Sequence, residues 1–176
     1  MRTQSRRIAL CGLLTALAVT LLMLGGIIPL ATFCAPLLAI AVLLPVLAEF
    51  GPRYAWAAWA AVSILTLLLA ADRELALVYL FFGWYPILRP RLETIPNRVL
   101  RLLSKIALCN LLIGAMYGLA LFVFQMEALA AEFAGASAAL LLSTLVLGNI
   151  VFLLMDKVLG RLLALWQRKL RKRFMK

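Results

Sequence analysis

The chain contains no histidine, which removes the usual general base, Ser/His nucleophile pairs and most zinc chemistry. Its acids are Glu49, Asp72, Glu74, Glu93, Glu127, Glu132 and Asp156. All fall at the ends of apolar stretches or between them. No two stand at helical spacing inside such a stretch, as a metal-dependent intramembrane enzyme would need. Cys11, Cys34 and Cys109 are too scattered for a disulfide framework or a metal set, and read as small packing residues. No glycine-rich phosphate loop follows a strand, so the chain is no ATPase by itself. We expect no catalysis, no metal and no cofactor.

The spacing of small residues carries more information. Gly12 and Ala16, extended one turn earlier by Ala9, form a small-xxx-small face, and Gly114 and Gly118 form a second beside Asn110. Such faces let helix backbones approach closely, either inside a bundle or against another subunit. We assign Ala9, Gly12 and Ala16 to docking, and Asn110, Gly114 and Gly118 to helix packing. Asn110 and Asn149 are the most polar residues inside apolar stretches, placed to bond each other, a backbone group or a substrate. Asp156, seven residues after Asn149, reads as a solvated or Lys/Arg-paired carboxylate. Thr32, Arg73, Tyr79, Tyr117 and Asn149 are the ligand-binding candidates. Arg73 pairs with Asp72 or Glu74, or else attracts an anionic group.

Membrane spans must position these residues. Apolar stretches run over 8–31, 33–50, 54–71, 75–88, 106–126 and 134–155, and 66% of the chain is hydrophobic. A soluble domain of 176 residues cannot hide that fraction, so lipid covers part of it. Six crossings with the N-terminus inside place every Lys and Arg except Arg73 on the cytoplasmic side, as basic side chains resist translocation. The net charge of +11 therefore serves orientation and attraction to anionic headgroups, and we expect no nucleic-acid partner. The run after Arg6 and Arg7 is too long for a cleaved leader and reads as a retained first helix.

The stretch 75–88 is short, and charge favours a protein-enclosed crossing over a re-entrant loop. Residues 89–105 read as an amphipathic surface helix leading into the fifth span. In the tail, 157–176, apolar residues from Leu159 to Phe174 recur at helical spacing among basic ones, to grip the inner leaflet or a partner. The predicted architecture is all-α: one domain over 1–176, a polytopic integral membrane bundle of six transmembrane helices with an amphipathic cytoplasmic C-terminal helix.

The opening RRIALCGLLTALAVTLLMLGGIIP resembles the first helix of S components of energy-coupling factor transporters, the six-helix substrate-binding subunits of bacterial vitamin and metal importers. In that family an Ala-xxx-Ala face of the first helix docks on a transmembrane coupling subunit. Here Gly12 and Ala16 occupy the pattern, with glycine in place of the first alanine. The run FFGWYPILRPRLE (81–93) is similar to uncharacterised S-component-like proteins. No match exists to the substrate motifs of the thiamine, riboflavin, biotin or folate binders. The resemblance implies a multi-pass protein of the bacterial plasma membrane with both termini cytoplasmic. It also implies partnership with a coupling subunit and its ATPases, and a small-molecule ligand held in the outer half. A different class, a non-transport scaffold similar to rod-shape-determining membrane proteins that recruit cell-envelope enzymes, also fits the basic inner surfaces.

Overall fold

The structure, a computed structural model, describes residues 2–28, 31 and 34–166, with side chains at 8–28, 31, 34–127 and 129–166. All regular structure among them is helical: α1 (Arg2–Gly25), α2 (Cys34–Phe50), α3 (Pro52–Leu69), α4 (Arg73–Phe82), α5 (Tyr85–Glu93), α6 (Arg98–Phe122), α7 (Glu127–Gly135) and α8 (Ala138–Leu165). Four of these are long and apolar enough to cross a membrane: Ile8–Gly25 of α1, α3, α6 and α8. At 1.5 Å per residue, α6 and α8 reach about 37 and 42 Å, beyond the roughly 30 Å hydrocarbon core. The protein is a helical membrane protein.

Two compact units divide the chain, Met1–Arg89 with Val158–Lys176, and Pro90–Lys157, and the divisions fall inside α5 and α8. In the first unit α1 packs on α2 and α3, α2 on α3, and α4 on α2 and α3. Small residues allow this. A Cβ on Gly25 would collide with the Ala35 side chain and lie 3.2 Å from Leu75 Cδ1. Ala18, Leu22, Ala39, Ile40, Val46 and Val62 fill the core between the helices. A one-residue turn joins α2 to α3: Gly51 has φ 84°, where a side chain would be strained, and Pro52 starts α3 with its φ already helical.

The stretch expected as one span over 75–88 is two short helices. Asp72 caps α4, accepting from the backbone N–H groups of Glu74 (2.9 Å) and Leu75 (3.2 Å). The helix stops at Phe82 because Pro86 has no N–H for the Phe82 carbonyl and its ring would collide with that oxygen. Gly83 fits the break: a Cβ there would lie 2.9 Å from Trp59 Cδ1 and 3.1 Å from Tyr79 Cζ.

The second unit differs from expectation at both ends. Residues 98–105 are the first turns of α6 and not a separate surface helix, since Asn97 caps α6 by accepting from Val99 N–H (3.0 Å) and the helix runs unbroken to Phe122. A short helix, α7, ends at Gly135, so the sixth stretch, expected over 134–155, begins at Ala138 and runs on as the unbroken α8. The expected tail helix over 157–176 is, as far as Leu165, a continuation of α8; residues 167–176 lie outside the described residues. The Trp166 indole donates to Glu49 Oε1 (3.1 Å), tying the end of that helix to α2 within the first unit.

Candidate functional site

Polar side chains inside apolar helices are the places where this molecule can do chemistry or recognise a partner, because lipid offers them no hydrogen bonds. In the second unit they hold one another. Lys105 is 6% exposed and Asp156 equally so. Lys105 Nζ lies 2.6 Å from Asp156 Oδ2 and 2.9 Å from Glu93 Oε1, and Arg101 Nη1 stands 3.6 Å from Glu93 Oε2. One ammonium therefore joins the end of α5, α6 and α8. Asp156 is a lysine-paired carboxylate, one of the two states expected of it. The roles of Glu93 and Lys105 were not anticipated. A signal existed: Arg101 and Lys105 stand one turn apart, on the face of α6 that carries the buried Cys109.

Two turns deeper, Asn149 Nδ2 donates to Asn110 Oδ1 (2.7 Å) and to the Leu145 carbonyl (2.9 Å). Gly148, beside it, would bring a Cβ within 3.5 Å of Ile113 Cδ1. These contacts share one antiparallel register between α6 and α8. Gly114 and Gly118 take no part, since nothing lies within 4 Å of where their Cβ atoms would be. Among the described residues the buried face of α6 runs instead through Lys105, Cys109, Leu112, Met116 and Ala120.

The first unit arranges its polar groups differently. Trp59 Nε1 donates to the Leu80 carbonyl (3.2 Å), and Trp56 packs edge-on to Trp59 and stacks on Trp84 at 6.2 Å. Ser63, Thr66 and Tyr79 are buried, and none of their hydroxyls finds a hydrogen-bond partner among the described residues. An unsatisfied buried hydroxyl costs about 1–3 kcal/mol. Sequence reasoning passed over Ser63 and Thr66, although their i, i+3 spacing puts them on one face of α3.

The ligand candidates are divided between the two units. Arg73 is exposed at the start of α4 and Tyr79 is sealed six residues on, so the two point to different sides of that helix. Tyr117 belongs to the second unit and meets Phe133 of α7 edge-on at 5.2 Å. Asn149 is engaged by Asn110, and Thr32 lies outside the described residues. The α1 residues are open: Ala9, Gly12 and Ala16 are exposed and nothing approaches Gly12 within 4 Å. Among the described residues no three His, Cys, Asp or Glu side chains gather as a metal site would require. No protein-family model matches the sequence, and no curated protein or solved structure matches it either.

Proposed function

We propose that the chain is an S-component-like substrate-binding subunit of an energy-coupled importer in a bacterial plasma membrane. It crosses six times with both termini cytoplasmic, and α2 and the α4–α5 pair serve as short crossings enclosed by protein. The observation that carries this reading is the asymmetry of α1. Its second half is packed tightly, with Ala18 and Leu22 fully buried and Gly25 pressed on Ala35. Its first half leaves Ala9, Gly12 and Ala16 uncovered on one face. A small-residue face left open on an otherwise well-packed helix fits close docking of a helix from another membrane protein. That helix is supplied by the coupling subunit, whose ATPases provide the energy.

Affinity purification from the native membrane tests this. Coupling and ATPase subunits are expected with the native chain and are expected to be lost with Gly12→Leu, at a position where an added Cβ meets no described atom within 4 Å. Recovery of the chain alone contradicts the reading, and recovery of cell-envelope enzymes instead favours the scaffold class. A reporter fused after Lys176 is expected to be active only in the cytoplasm; activity outside overturns the six-crossing topology.

A further inference from the structure

We propose that the end of the second unit where α5, α6 and α8 meet is a docking surface for anionic phospholipid headgroups. Lys105 of α6 draws the three helices together there through Glu93 and Asp156. These are the only acids at this end of the unit, and both are turned to Lys105, Glu93 to Arg101 as well. Arg91 lies just before Glu93, Arg98 one turn before Arg101, and Lys157 next to Asp156. All three are exposed, and their charged groups meet no carboxylate among the described residues. Cations therefore outnumber acids at this end, whereas the opposite end carries Glu127 and Glu132, with no Lys or Arg from Ile106 to Asp156.

The depth of these cations fits headgroups. At 1.5 Å per residue, Lys157 stands about 28 Å from the start of α8 at Ala138, and Arg101 and Arg98 about 32 and 36 Å from the end of α6 at Phe122. Those positions are the edge and the outside of a roughly 30 Å hydrocarbon core. Lys105, about 25 Å along α6, lies within the core and is the cation held by two carboxylates. On the same first turns of α6, Val99, Leu100, Leu102 and Leu103 are exposed beside the arginines. Cations next to leucines at that depth suit a ligand whose phosphate adjoins acyl chains, which a free phosphate does not offer. This inference goes beyond substrate binding. It needs only that α6 and α8 span the membrane, so it can fail or hold independently of α1 docking.

The full-length protein is purified in detergent as the native chain, as Arg91→Gln, Arg98→Gln and Lys157→Gln singly and together, and as Arg98→Lys. Each is mixed with equal amounts of phosphatidylglycerol and phosphatidylcholine, and native mass spectrometry reads how much of each lipid stays bound. The native chain is expected to prefer phosphatidylglycerol. Each glutamine is expected to lower that preference by about fivefold, the triple variant to abolish it and Arg98→Lys to keep it. The single variants decide the matter where the triple variant does not fold. No preference in the native chain, or a preference that the glutamine variants retain, overturns the proposal. Inorganic phosphate that displaces phosphatidylglycerol at equal concentration would assign the surface to a soluble anion and overturn it as well.

Discussion

The two units use opposite means to hold apolar helices together. In the first, small residues bring α1, α2, α3 and α4 close, and Gly25 sits against Ala35 with no space for a methyl group. The buried hydroxyls of Ser63, Thr66 and Tyr79 find no hydrogen-bond partner among the described residues. In the second, the glycines at 114 and 118 face open space, and α6 and α8 are joined through long polar side chains: Lys105 to Asp156, and Asn149 to Asn110. Shape specifies the first unit and hydrogen bonding the second. In lipid, where hydrophobic burial drives helix association little, close packing and interhelical hydrogen bonds are two of the means that remain.

The largest break in this contrast is expected at the buried charges. Lys105→Met removes one partner of a buried pair and is expected to cost about 3–5 kcal/mol in denaturant titrations of the purified protein. Combining it with Asp156→Leu is expected to restore most of the loss, since an apolar pair of similar size replaces the ions without their desolvation. If the double variant is no more stable than Lys105→Met, the pair is not what joins α6 to α8.

Next come the glycines. Gly25→Val forces extra atoms into the α1–α2 contact and is expected to destabilise by about 1–3 kcal/mol. Gly114→Ala, in open space within a helix, is expected to stabilise by about 0.5–1 kcal/mol. Opposite signs at these two positions, read from thermal unfolding of the two variants, are what the contrast requires; equal signs dissolve it. The smallest effect is expected at Asn110→Leu, about 0.6 kcal/mol, the average for a polar bond between membrane helices. A loss several times larger would place Asn110 at the centre of the second unit's stability.

Much of this was legible in the sequence, for physical reasons. Hydropathy locates α1, α3, α6 and α8 because twenty apolar residues have few other uses. Two asparagines inside apolar helices announce that something bonds them, and Asp156 near a basic segment announces a cation. The rotational phase of each helix was not legible. Gly12, Gly25, Gly114 and Gly118 look alike in the sequence, yet only Gly25 meets a neighbour closely, because tertiary placement decides which face turns inward. The break after Phe82 was visible in Pro86, but a proline near a span's end also reads as its terminus. Ser63 and Thr66 drew no notice because hydroxyls in helices usually bond their own backbone, and here they do not.

The docking role of α1 is tested most directly by a photo-reactive residue placed in turn at positions 12 and 114, both open in this structure. Irradiated in native membranes, position 12 is expected to crosslink to a second membrane protein that co-purifies with ATPase subunits, and position 114 only to lipid. Lipid adducts alone at both positions would contradict the account.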